Sequence, residues 1–269
     1  MLRHRVITAV LVALPLLLVL LFLPRPYVAG MLALFIILAA LEWLDITGCS
    51  QPQWRFAYLL LLLALLLLAY ASPIAAQILL WLGLIWWAYA SLCLYRFSRG
   101  GSSFRPSIPF SLLAGLFVLV PAWTGAMLLY SRSPYWTLLL LLLIWSADIA
   151  AYFSGHRWGR VRLAPAISPG KSREGVYGAL MVCLAGMLVA GWLLDYGPLH
   201  LLLFSLLGLI TVICSVIGDL VESMFKRMAN MKDSGELLPG HGGVLDRIDS
   251  LSAAAPIFAV GINLLELLK

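Results

Sequence analysis

The sequence predicts an all-α, polytopic integral membrane bundle of about nine transmembrane helices with a cytoplasmic N-terminus. Three observations carry this expectation. Of the 269 residues, 63% are hydrophobic and only 11% charged, and the mean hydropathy of +1.00 belongs to the membrane class. The apolar residues form long leucine-rich runs, too unbroken for barrel strands, and backbone groups in lipid must be satisfied inside helices or a closed barrel. The cations are also unevenly placed. With the N-terminus inside, Arg3, Arg5, Arg55, Arg96, Arg99, Arg105, Arg157, Arg160, Arg162, Lys171, Arg173, Lys226, Arg227, Lys232 and Arg247 share one side, whereas Arg25, Arg132 and Lys269 take the other. Fifteen of 18 on one side is the bias that marks the cytoplasmic face.

The first span, 5–23, follows Arg3 and Arg5 and shows no small-residue cleavage site before Arg25-Pro26, so it reads as a helix and not as a removable signal. Spans follow at 27–46, 56–72 and 74–95, and residues 1–107 read as membrane scaffold in which Glu42-Trp43 holds the only interior-leaning acid. Further spans at 109–130, 135–153, 175–194, 200–223 and 250–268 complete one continuous membrane domain. In this second part, 108–269, acids stand within or at the ends of helices, and the inner loops 154–174 and 224–249 carry most of the cations. The net charge of +6 suits anionic lipid and phosphate. No basic soluble domain is left over for nucleic acid. Cys49, Cys93, Cys183 and Cys214 lack C-x-x-C spacing and read as small structural residues.

Polar chemistry concentrates between Glu222 and Asp249, where nine charged side chains surround a Pro-Gly-His-Gly-Gly turn. Carboxylates hold hard divalent cations, Lys and Arg neutralise phosphate oxygens, and glycines let backbone N–H groups approach them, so the mixture suits a metal-bound polyphosphate. On a 3.6-residue period Asp219, Glu222, Ser223 and Lys226 or Arg227 share a face. Asp246 and Asp249 open the last span, where they could cap the helix or, with Asp219, supply oxygens to Mg²⁺. His241 reads equally as a phosphate donor and as a turn residue. Asp148, at the inner end of the sixth span, must face the bundle interior or a wet cavity, with an ion pair to Arg157 or Arg160 as the alternative. Gly170-Lys171-Ser172 resembles the end of a P-loop, but Pro165 stands where that motif needs glycine and no strand is expected before it. What remains is a basic turn before a helix N-terminus.

The stretch Ser223, Lys226-Arg227, Lys232-Asp233, Gly235, Gly240, His241-Gly242-Gly243 and Asp246-Arg247-Ile248-Asp249 resembles, element by element, the signature of the phosphatidate cytidylyltransferase (CDP-diacylglycerol synthase) family. W-S-A-D-I-A-A-Y-F-S-G-H around Asp148 and S-P-G-K-S-R-E-G from Ser168 look like that family's Asp-containing helix and its Ser-Pro-x-Lys-x-x-Glu-Gly loop. Glu42-Trp43 also resembles a feature of that family's N-terminal half, whereas Arg173 departs from the pattern, since members often carry Trp there. The resemblance implies CTP plus phosphatidate giving CDP-diacylglycerol and pyrophosphate, with Mg²⁺ required. It implies metal ligation by Asp219, Asp246 and Asp249; catalytic roles for Asp148, Lys226, Arg227, Lys232, Asp233, His241 and Arg247; and substrate contacts from Ser168, Lys171, Glu174, Ser223, Gly242 and Gly243. The implied partners are CTP, phosphatidate and membrane lipid, with a homodimer open as an assembly. The implied setting is a bacterial-type inner membrane with the active site facing the cytoplasm. Two alternatives stand beside it. A CDP-alcohol phosphatidyltransferase would need a D-G-x-x-A-R pattern that is missing here. An ion-coupled transporter would explain intramembrane acids but not the one-sided H-G-G and D-R-x-D cluster.

Overall fold

The computed structural model describes residues 14–98, 106–237 and 242–268. The described part of α1 covers 14–22. It is followed by α2 (Arg25–Ile46), α3 (Pro52–Ala71), α4 (Pro73–Ser98), α5 (Ile108–Arg132) and α6 (Pro134–Trp158). A hairpin of β1 (Arg162–Ala164) and β2 (Ser168–Ser172) then leads into α7 (Arg173–Leu193), α8 (Pro198–Met228) and α9 (Leu245–Leu267). Helices α2 to α9 are all long and apolar enough to cross a membrane. The all-α membrane bundle is therefore as expected, although residues 5–13 of the first predicted span lie outside the described residues. Prolines stand in the first turns of α2, α3, α5, α6 and α8, where their missing N–H would have had no helical partner.

Helix α5 is the hub, with 72% of its spanning window buried, and α9 follows at 61%. Polar anchors reach α5 from several sides. Trp43 Nε1 donates to Ser111 O at 2.8 Å, Tyr130 Oη to Leu23 O at 2.6 Å, and Thr137 Oγ1 to Ala126 O at 3.3 Å. Between membrane helices there is little hydrophobic drive to associate, so small residues permit the close crossings on which packing depends. A Cβ on Gly125 would lie 2.7 Å from the Ala255 carbonyl carbon, where α5 crosses α9 beside Pro256. A Cβ on Gly218 would lie 2.6 Å from Asp249 O, so α8 and α9 touch one residue before Asp219.

Successive spans run in opposite directions, so the C-terminal ends of α2, α4, α6 and α8 lie with the N-terminal ends of α3, α5, α7 and α9. The chain leaves α4, α6 and α8 at this end, where the 159–172 hairpin segment lies, and it returns at the other end through Ser72, Ser133 and 194–197.

Three helix boundaries lie five residues from the sequence expectation. Helix α8 runs to Met228 instead of 223 because a Schellman closure terminates it there. Met231 N–H donates to Lys226 O at 2.8 Å and Asn230 takes the left-handed conformation, φ 56°. Helix α9 begins at Leu245 instead of 250, and α6 continues to Trp158 instead of 153. The hairpin was not expected either. Its strands pair Arg162 with Ser172 and Ala164 with Ser168, and the Gly170-Lys171-Ser172 run lies inside β2 and not in a phosphate loop. Tertiary bonds hold it: Arg173 N–H donates to Val161 O at 2.9 Å, and Val161 N–H donates back to Glu174 Oε1 at 3.2 Å.

Replacing Gly218 with Ala should force α8 and α9 apart at their polar end. Overpacking of this kind costs about 1–3 kcal/mol, so the midpoint of thermal unfolding in detergent should fall for Gly218→Ala but not for Gly186→Ala, whose Cβ would meet nothing within 4 Å.

Candidate functional site

At the end of the bundle that gathers the long connections, two lysines face carboxylates from neighbouring elements. Lys171, on β2, is ion-paired through Nζ to Asp219 Oδ2 on α8. Ser223, one turn further along α8, donates through Oγ to Asp219 Oδ1 at 3.3 Å. Lys226 stands between two acids: it meets Glu222 Oε1 at 2.9 Å along its own helix and pairs with Asp246 Oδ1 of α9. An ammonium and a carboxylate this far from water hold each other, and removal of one leaves the other as an uncompensated charge. The contact with Glu222 is ionic without hydrogen-bond geometry, and Glu222 Oε2 is buried with no donor among the described residues.

Asp246 is anchored on its other oxygen as well. Ser234 N–H and Gly243 N–H donate to Oδ2 at 3.0 and 2.9 Å. Those two amides tie Ser234 and Gly243 to the first turn of α9, where a negative side chain also complements the helix dipole. The glycines are required by space. Gly242 has φ +79° and would place a Cβ 2.7 Å from Asp246 Oδ2, while a Cβ on Gly243 would overlap Ser234 Oγ and Glu42 Oε2.

Glu42, treated as scaffold in the sequence reading, enters this arrangement directly. It is 3% exposed near the C-terminal end of α2. Ser234 Oγ donates to Oε2 at 2.7 Å, Leu245 N–H to Oε2 at 2.8 Å and Val244 N–H to Oε1 at 2.9 Å. The α9 N-cap, Val244, has no capping side chain of its own, so a carboxylate from a distant helix satisfies donors that a local Ser or Asp would otherwise accept. This explains why α9 starts earlier than its apolar run. The neighbouring Trp43 packs against Phe225 of α8 with ring centroids 4.9 Å apart. The sequence signal was available: an acid and a tryptophan near a helix end in a scaffold whose other acid is Asp45.

The remaining predicted residues divide by position. Asp148 is exposed on α6, and Lys171 and Asp219 are the charges that act on it. Asp249 lies one turn below Asp246 and is within electrostatic reach of Asp219, Lys171 and Lys226. Arg227 donates through Nε to Ile167 O at 3.1 Å, and Glu174 receives Val161 N–H, so both hold the hairpin against its neighbours. Ser168 pairs with Ala164 at the start of β2. Lys232, Asp233 and Arg247 are exposed at the same end of the molecule. His241 and Gly240 lie outside the described residues.

Five carboxylates (Asp148, Asp219, Glu222, Asp246 and Asp249) thus accompany two ammonium groups, Lys171 and Lys226. All the anionic donors are hard oxygens, and Glu222 Oε2 is an orphaned buried acceptor. Such a set fits a hard divalent cation. Among the described residues no three His, Cys, Asp or Glu groups are gathered closely enough to hold a metal ion by themselves, so an ion bound here would need waters or substrate phosphates among its ligands.

Removing the shared lysine should be costly. Lys226→Met would strand Glu222 and Asp246, a loss of about 3–5 kcal/mol for a broken buried pair, whereas Lys171, with a side chain 29% exposed, should cost much less. Thermal unfolding of the two variants in the same detergent should place Lys226→Met clearly below Lys171→Met; equal midpoints would contradict the central position given to Lys226.

The profile of the cytidylyltransferase family matches residues 3–265. The chain is 43% identical over 266 residues to a protein of Pseudomonas aeruginosa named phosphatidate cytidylyltransferase, covering 96% of each chain. A Haemophilus influenzae protein of the same name is 38% identical over 282 residues, covering 96% of this chain and 98% of its own. A Synechocystis protein, also so named, is 48% identical over 125 residues, 45% of this chain and 41% of its own.

Proposed function

The chain belongs to the cytidylyltransferase family, and we propose that it transfers the cytidylyl group of CTP to phosphatidate, giving CDP-diacylglycerol and pyrophosphate. The observation that carries this reading is the convergence of two lysine–carboxylate pairs, Lys171–Asp219 and Lys226–Asp246, at one end of an integral membrane bundle. A phosphate-bearing lipid and a water-soluble nucleotide can meet only at such an end. The CDP-alcohol phosphatidyltransferase and transporter alternatives are not favoured, since the chain-length relatives carry the cytidylyltransferase name.

In the proposed reaction a phosphate oxygen of phosphatidate forms a bond to the α-phosphorus of CTP, and the bond from that phosphorus to the bridging oxygen breaks as pyrophosphate leaves. The phosphate monoester is already an anion near neutral pH, so a strong general base is not needed. What the site must supply is positive charge and fixed donors where charge accumulates. Lys226 and Lys171 are held at the buried end by their carboxylates, and Lys232 and Arg247 stand exposed beside them. Mg²⁺ would be held by one or two of the carboxylates Asp219, Asp246 and Asp249, with waters and substrate phosphates completing its shell; Ser223 would orient Asp219 and Lys226 would orient Asp246. When bound, the ion would offset charge on the transferred phosphoryl group and on pyrophosphate. The charge bias of the connections supports a site facing the cytoplasm, with phosphatidate entering from the inner leaflet of a bacterial-type inner membrane. The protein would act there as a monomer or a homodimer.

The direct test supplies purified protein with labelled CTP, phosphatidate and Mg²⁺ and measures the liponucleotide and pyrophosphate. Both should appear in equal amounts and vanish with chelation of Mg²⁺ by EDTA. Asp249→Asn should lower turnover by at least about 100-fold at saturating CTP, because a neutral amide replaces a charged oxygen donor. Turnover close to the parental value at saturating Mg²⁺ would remove Asp249 from the metal site.

Orientation is tested separately. Cysteines replacing Arg160 and Glu236, both exposed, in a background without the four native cysteines, should react with an impermeant thiol reagent in inverted vesicles only. Reaction at either position from outside intact cells would reverse the topology.

A further inference from the structure

The geometry points to Glu42 as a positioning residue for the transfer reaction: a carboxylate of α2 clamps Ser234, beyond the end of α8, and the N-terminus of α9, and so sets where the Asp246–Lys226 pair stands. This rests on the transferase reading above.

Three features assign this role. The first is the number and source of the donors. Glu42 accepts from one hydroxyl, Ser234 Oγ, and from two successive backbone amides, Val244 and Leu245, of the first turn of α9. The second is burial: Glu42 is 3% exposed and Ser234 2% exposed, so water cannot replace a lost partner without opening the contact. The third is the absence of slack. Gly235 and Gly243 lie so close that a Cβ on either would come within 2.8 and 2.2 Å of Glu42 oxygens. The carboxylate therefore fixes α9 along its axis and Ser234 across it.

The clamp is linked in turn to the reacting end. Ser234, held by Glu42 through its hydroxyl, donates its backbone N–H to Asp246, and Asp246 pairs with Lys226. Release of Glu42 would leave Asp246 attached to a first turn free to shift. Displacement by about 1 Å of a group that orients phosphates is enough to lower a rate about 100-fold. Glu42 need not touch either substrate for this effect.

The test uses the full chain in detergent micelles and the variant Glu42→Gln. The amide keeps the size of the side chain but has a single acceptor oxygen. Whichever position its NH₂ takes, either Val244 N–H or Leu245 N–H faces another donor. Expected is a fall in kcat of about 10–100-fold with KM for CTP changed less than about threefold, and faster hydrogen–deuterium exchange in peptides covering 242–248. Glu42→Asp, which retains both oxygens, should recover part of the loss. Glu266→Gln removes a carboxylate at the far end of α9, where it pairs with Arg132 of α5, and should leave both readouts at the parental level.

Parental kcat in folded Glu42→Gln would overturn the proposal. So would a loss explained wholly by a smaller active fraction with parental kcat, since that is the mark of a merely structural contact. Should the parental chain produce no CDP-diacylglycerol, the transferase reading fails by itself. The exchange measurement then decides the clamp, and unchanged protection of 242–248 in Glu42→Gln would overturn it.

Discussion

Charge in an apolar bundle must be matched before anything else can be built around it, and in this protein Lys226 carries most of that requirement. Its ammonium lies between Glu222 on the same helix and Asp246 on the next. An unmatched ion near the hydrocarbon is expensive enough to reshape the helices that bear it, so this triad fixes the distance between α8 and α9. The Gly218 contact makes the approach sterically feasible, and the extension of α8 to Met228 makes Lys226 helical and brings it one turn from Glu222.

The same logic separates the two ends of the bundle. At one end the chain turns in a few residues, with proline starting the next span and serine side chains accepting the first N–H groups, as Ser133 does for Tyr135. At the other, long connections return to the helices through charged and hydroxylic side chains. The hairpin is held by Glu174 and Arg227, and Ser234 by Asp246 and Glu42. Irregular backbone beside apolar helices is tolerated where protein groups supply such anchors.

Much of this was legible in the sequence. Leucine runs placed each span because lipid-facing helices need no more than length and hydrophobicity, and the acids that stood out against that background are the ones that converge. The parts not legible were those made by distant partners. Helix α9 begins at Leu245 because Glu42 accepts its first amides, and no pattern around Leu245 reports a cap coming from α2. The strands Arg162–Ala164 and Ser168–Ser172 are too short for a period of two to register, and their stability comes from α7 and α8. Glu42 itself was visible as an unusual acid, but its partner could not be read without the fold.

That partnership also bears on how the chain is assembled. The contact between Glu42 and Leu245 joins positions 203 residues apart. As the protein is synthesised, α2 enters the bilayer long before α9 exists, and its acid stays without its donors through the insertion of the six helices between them. A chain stopped before α9 keeps a bare carboxylate at the membrane surface, and only a complete one hides it. Maturation of the site and completion of the polypeptide are therefore the same event, sealed by the ninth helix docking onto the second.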